Sequence, residues 1–99
     1  MIQTITVGEL KELRANNVEH LLIDVREQDE YDAGHIEGSI LLPMGELGAK
    51  IDDFAKEKDQ LIVLHCAAGR RSALSAEDLQ NMGYTNVKSL EGGFNAWHE

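Results

Sequence analysis

"QLIVLHCAAGRRS", residues 60–72, joins an apolar run, a turn with one glycine and the first residues of a helix. Residues 60–65 have strand length and do not alternate polar with apolar, which predicts an inner strand covered on both faces. From about Arg71 to Met82, Ala73, Ala76, Leu79 and Met82 recur at helical spacing, and Gly83 is placed to end that helix in the left-handed conformation. A buried strand, a short turn and a helix form one half of a parallel crossover unit, so this segment decides the fold class.

The rest of the chain repeats the unit. "HLLIDV" at 20–25 reads as a second inner strand, "SILLP" at 39–43 as a third and "NVKSLEGG" at 86–93 as the last. "TVGE" at 6–9 fits a capping box in which Thr6 caps a helix and Glu9 reaches back, with Val7, Leu10 and Leu13 as its apolar stripe. A helix is predicted over about 45–56, with Leu47, Ile51, Phe54 and Ala55 inward and Lys50, Asp52 and Asp53 outward. The expected architecture is α/β: a mostly parallel central sheet of about five strands covered by helices on both faces.

With 99 residues the chain has room for one domain, read as 1–99. Nine Lys and Arg against eighteen Asp and Glu give a formal charge of -9. That field repels nucleic acid and anionic membranes, so neither is an expected partner. No apolar run approaches the roughly 18 residues of a spanning helix, and "MIQTITVGELKELR" lacks the basic start and apolar block of a targeting segment. One cysteine forms no internal disulfide and suits a reducing compartment, so the expected location is the cytoplasm and the expected state a monomer.

Cys66 falls at the carboxyl end of its strand, where open α/β sheets bind ligands. The helix that follows aims its unsatisfied N–H groups and positive dipole end at the turn, favouring an anion there, the thiolate included. Gly69 permits a backbone that turns successive N–H groups inward, and Arg70 and Arg71 add local positive charge. Taken alone, Cys66 is equally readable as a small buried hydrophobe. The glycine turn, paired arginines and helix start favour a nucleophile, since a packing cysteine requires none of them. Either arginine is also readable as a plain solvent-exposed charge.

"HC", a short loop and "RS" are similar to the protein tyrosine phosphatase signature, which has one residue more between cysteine and arginine. Only Ala67, Ala68, Gly69 and Arg70 separate Cys66 from Arg71 here. The smaller ring crowds a phosphoryl group but has room for one extra sulfur atom. The chain resembles the single-domain rhodaneses over nearly all its length: "LLIDVREQDEYDAGHIEGSILLP" at 21–43, "HCAAGRRS" at 65–72 and "LEGGFNAW" at 90–97 match three ordered family motifs.

The resemblance implies a sulfurtransferase of the thiosulfate type. Cys66 attacks the sulfane sulfur of thiosulfate or a related persulfide donor, carries it as a persulfide and passes it to a thiophilic acceptor, in ping-pong fashion. The implied partners are a small sulfur donor and a thiol or cyanide acceptor, with a thioredoxin-like protein as a further acceptor; no cofactor is implied. Ala67, Ala68, Gly69, Arg70, Arg71 and Ser72 form the implied donor-binding and persulfide loop, with the N–H groups of 67–71 cradling the persulfide. Asp24, Arg26 and His35 are implied to be structural supports. At Ala67 many active members have Arg or Lys, which puts thiosulfate in doubt as a good donor. A small phosphatase or arsenate reductase and a non-catalytic binding module remain the alternatives.

His20, His35, His65 and His98 show no zinc-site spacing, so no metal is expected. His65 next to Cys66 is read as structural, because adjacent strand residues face opposite sides of a sheet. A Cys–His peptidase would need a partner at His98, at an end expected to fray. Glu27, Asp29, Glu30 and Asp32 are read as a solvated helix start favoured by the dipole. Phe94 and Trp97 are read as core on a final helical turn, with the pocket mouth as the other place for Trp97.

Overall fold

The computed structural model describes residues 2–97. Five strands, β1 (Gln3–Ile5), β2 (Leu21–Asp24), β3 (Ile40–Leu41), β4 (Ile62–His65) and β5 (Val87–Leu90), form one sheet in the order β1-β5-β4-β2-β3. Every neighbouring pair is parallel, with Asp24 opposite both His65 and Leu41 and Ile5 opposite Leu90. Four helices, α1 (Val7–Ala15), α2 (Gln28–Ala33), α3 (Leu47–Lys50) and α4 (Arg70–Asn81), together with 3-10 turns Ile51–Asp53 and Gly93–Ala96, make the crossovers and the end of the described chain.

The two-residue period of β4 sorts its side chains between two cores. Ile62, Leu64 and Cys66 point to one face with Leu47, Ile51, Ala76 and Leu79 from α3, the turn after it and α4. Val63 points to the other, with Leu10 of α1, Ile36, Leu90 and the flanking Phe94 and Trp97. Helices therefore cover both faces, as the unalternating strands predict. From β2 the chain passes outward to β3, and from β4 it passes the opposite way to β5. The carboxyl ends of β2 and β4 are thus a topological switch point, where such sheets open a crevice.

The capping box of α1 is present: Glu9 N–H donates to Thr6 Oγ1 at 3.1 Å and Thr6 N–H to Glu9 Oε1 at 2.9 Å. Gly83 follows α4 with φ +100°, as the helix end requires. Several expectations are corrected. The third strand is only Ile40–Leu41 rather than 39–43, and residues 3–5 add an edge strand. The helix expected over 45–56 is four α-helical residues and a 3-10 turn, and this change of pitch leaves Phe54 at the surface. The buried face of α4 is Ser72, Ser75, Ala76 and Leu79, so Ala73 is only half-buried and Met82 is exposed. No helix among the described residues is long and apolar enough to cross a membrane.

Candidate active site

β4 delivers Cys66 to the switch point, and four residues later the chain is already in α4. Gly69 makes that possible: its φ of +117° lies in the left-handed region, which glycine enters without a Cβ penalty. The turn folds back so that Gly69 N–H donates to Cys66 Sγ at 3.0 Å and Ser72 N–H at 3.4 Å. The thiol lies 3.6 Å from Ser72 Oγ, which itself sits 2.7 Å from Ser89 Oγ at the end of β5. Ser72 and Ser89 are buried, so this hydroxyl pair is an internal support for the sulfur.

Burial alone raises the Cys66 thiol pKa. The Ser72 hydroxyl and the Ser72, Gly69 and Ala68 N–H groups together outweigh it, and the net shift is downward. The cradle thus favours an anionic sulfur. Cys66 is 1% exposed, and the exposed residues of its loop are Ala68 and Arg70.

The loop is held from behind by the last motif. Phe94 N–H donates to the Cys66 carbonyl at 2.8 Å and Asn95 N–H to the Ala67 carbonyl at 2.9 Å. With these two carbonyls turned outward, the following amides turn inward toward the sulfur. Gly93 makes the approach possible. A Cβ there would lie 2.3 Å from the Cys66 carbonyl oxygen and 2.7 Å from that of Ala67.

Asp24 and Arg26 form a buried bidentate pair, with Arg26 Nε 3.0 Å from Oδ1 and Nη2 2.8 Å from Oδ2. Arg26 Nη2 also donates to the Gly34 carbonyl at 2.7 Å, and its guanidinium lies 4.5 Å from the Phe94 ring centroid. The pair therefore ties β2 to the end of α2 and, through Phe94, to the segment behind Cys66. His35 donates through Nδ1 to the Tyr31 carbonyl at 3.0 Å and stacks on the Tyr31 ring at 3.8 Å. It holds the end of α2 and does not reach the sulfur through any contact in the structure.

His65 points to the other side of the sheet from Cys66, fully buried, with neither ring nitrogen hydrogen-bonded among the described residues. Burial pushes its pKa down, and its Nε2 stays 3.8 Å from Asp24 Oδ2, beyond hydrogen-bond reach. It is a neutral side chain and no base for Cys66. His98 lies outside the described residues. Among the described residues no group of three or more His, Cys, Asp and Glu is arranged to hold a metal.

Two contacts escape the sequence reading. Glu30, read as part of a solvated acidic start, is bidentate to Arg71: Nη1 donates to Oε1 at 2.8 Å and Nη2 to Oε2 at 2.9 Å. The Arg71 guanidinium holds the Glu30 carboxyl down at about 2. The pair spans 41 residues of sequence, and no local spacing signals it. Trp97 packs against the core, as read, and the contact not foreseen is with α1, where Lys11 Nζ lies 5.2 Å and the Arg14 guanidinium 5.6 Å from its ring. Arg70 is exposed, in keeping with the alternative reading of either arginine as a plain solvent-exposed charge. The amides on the sulfur include that of Ser72, one residue beyond the expected 67–71.

The family model of the rhodanese-like domain matches residues 6–99. Thiosulfate sulfurtransferase PspE of Escherichia coli is 36% identical over 70 residues, covering 71% of this chain and 67% of PspE. Among solved structures, a rhodanese-like domain protein from Staphylococcus aureus superposes with a TM-score of 0.89 at 31% identity, covering 99% of this chain and 93% of the other. A Rhodopseudomonas palustris protein of unknown function, described as a possible tyrosine phosphatase, superposes with a TM-score of 0.86 at 34% identity, covering 97% and 79%.

Proposed function

The chain belongs to the rhodanese-like sulfurtransferase family, and from that premise we propose that it moves a sulfane sulfur from thiosulfate or a related persulfide donor to a thiophilic acceptor through a Cys66 persulfide. The single observation that carries this reading is the convergence of the Gly69 and Ser72 N–H groups on Cys66 Sγ, at 3.0 and 3.4 Å. In the first half-reaction the Cys66 thiolate forms a bond to the donor's outer sulfur while the donor's own bond to it breaks. From thiosulfate the leaving group is sulfite. The new terminal sulfur carries the negative charge, and the N–H groups that line the loop around Cys66 would stabilise it as an oxyanion hole stabilises oxygen. In the second half-reaction a thiolate or cyanide takes that sulfur and returns Cys66 as its thiolate.

Asp24, Arg26 and His35 support the loop without touching the reactants, and Ala67, Ala68, Gly69, Arg70, Arg71 and Ser72 form the cradle and its mouth. The chemistry requires no cofactor. With no acceptor present, thiosulfate should release one equivalent of sulfite per Cys66, and with cyanide added the double-reciprocal lines should be parallel. No sulfite from the intact protein, or an undiminished yield from Cys66→Ser, overturns the reading.

The near-complete burial of Cys66 favours a second reading, a binding module in which the cysteine is incidental. An alkylation rate that rises with pH only near the ordinary thiol value of about 8.5 would support it. The phosphatase reading rests on the likeness of "HC" and "RS" to the phosphatase signature and on the R. palustris neighbour, and it predicts turnover of an aryl phosphate by the intact protein.

A further inference from the structure

Two cations stand at the loop, and they are not equivalent. Arg70 is exposed and is in no ion pair among the described residues. Arg71 adjoins Ser72, whose N–H meets the Cys66 sulfur at 3.4 Å, yet each of its terminal nitrogens donates to an oxygen of Glu30. A guanidinium and a carboxylate joined this way have no net charge, and the pair is carried on the residue next to Ser72, whose N–H meets the reacting sulfur. Glu30 is also fixed in place. Its Oε1 accepts from the Glu27 N–H at 3.0 Å, closing the capping box at the start of α2.

From these contacts we infer that Glu30 is a positioning residue that sets donor specificity: by neutralising Arg71 it favours sulfane donors with at most one negative charge, thiosulfonates and hydropersulfides, over dianionic thiosulfate. The inference rests on the sulfur-transfer reading of Cys66 and extends it to the class of donor. Thiosulfate brings a dianion up to a thiolate, and sulfite leaves as a dianion. A thiosulfonate, R–SO2–S⁻, brings one negative charge. The Cys66 thiolate bonds to its terminal sulfur, the S–S bond to the sulfonyl group breaks, and the electron pair leaves with the sulfinate R–SO2⁻. A protein carrying -9 overall adds to the repulsion that the dianion meets.

The test is the ratio of kcat/KM for thiosulfate to that for methanethiosulfonate, a stable monoanion of similar shape, with cyanide as acceptor. Glu30→Gln keeps an oxygen for the Glu27 N–H and removes the charge. It should raise the ratio about fivefold or more, chiefly through a lower KM for thiosulfate, as one unit charge acts more strongly on a dianion than on a monoanion. Added salt should shrink the gain. Glu30→Asp, which keeps the charge, should leave the ratio near that of the starting protein. An unchanged or falling ratio in Glu30→Gln, or an equal loss with both donors, overturns the inference and leaves sulfur transfer standing. Transfer from neither donor by the starting protein overturns the sulfur-transfer reading and this inference with it.

Discussion

The Phe94 N–H donates to the Cys66 carbonyl at 2.8 Å, so the segment after β5 fixes the peptide plane that begins the sulfur cradle. The contact depends on Gly93, whose φ of +54° and missing side chain let two backbones meet. Two stretches far apart in sequence thus meet at one loop: the turn from β4 into α4 supplies the sulfur and the Gly69 and Ser72 amides, and the 3-10 turn Gly93–Ala96 orients it from behind.

Gly93→Ala should therefore cut sulfur transfer at least about tenfold, since a displacement of even 1 Å in a catalytic geometry costs about that much or more. It should also lower stability by more than the roughly 1 kcal/mol of a left-handed alanine, because its Cβ would collide with the Cys66 carbonyl. Gly83→Ala is the control. It has φ +100° and nothing within 4 Å of a new Cβ, so it should cost about 1 kcal/mol and leave turnover unchanged. Thermal denaturation and steady-state rates separate the two.

The thiol should react as an anion below the pH at which an ordinary cysteine does, because the hydrogen bonds to Cys66 exceed its burial penalty. Iodoacetamide rates against pH should show the midpoint. Ser72→Ala removes the hydroxyl and leaves the Ser72 amide, so it should move the midpoint upward and slow alkylation at pH 7. A midpoint that does not move would show that the hydroxyl does not act on the sulfur.

The Glu30–Arg71 pair should appear in acid unfolding. The Glu30 pKa falls from its usual 4.5 to about 2 on folding. A carboxyl depressed in the folded state stabilises the fold above its unfolded pKa, and that contribution is lost as pH falls from about 4.5 through about 2. The side chains are about one-third exposed, so the contribution is at most about 1 kcal/mol. Urea unfolding of Glu30→Gln should show a shallower stability loss in that window than the starting protein.

His65 acts in a different window. Burial lowers its pKa below the usual 6.5, so the unfolded chain takes up a proton that the folded chain resists. Stability is therefore full above pH 6.5 and falls as the pH drops below it. His65→Leu removes two buried ring nitrogens that have no hydrogen-bond partner among the described residues and should flatten the stability curve just below pH 6.5. An equal slope in both proteins would show that His65 titrates alike folded and unfolded.

What the sequence makes legible is what local physics decides. Thr6 and Glu9 cap α1, Gly83 ends α4, and β4 and α4 flank Cys66, because each depends on neighbours within a few residues. The turning of loop N–H groups toward Cys66 is legible for the same reason. Glu30 is not, because its partner Arg71 arrives only when the sheet order brings α2 beside the start of α4. The role of Gly93 stays hidden similarly, since the backbone it clears belongs to residues 66 and 67. Phe54 is misplaced because a periodic pattern does not reveal where α-helical pitch tightens into a 3-10 turn. β1 has three residues and buries one of them, too few to show a period.

The central claim, a sulfur carried on Cys66, is tested most directly by the intact mass of the protein after incubation with thiosulfate or methanethiosulfonate and removal of excess donor. A gain of one sulfur atom that cyanide strips off and that Cys66→Ser never acquires is the predicted result. An unchanged mass with every sulfane donor, or the same gain in Cys66→Ser, would contradict it.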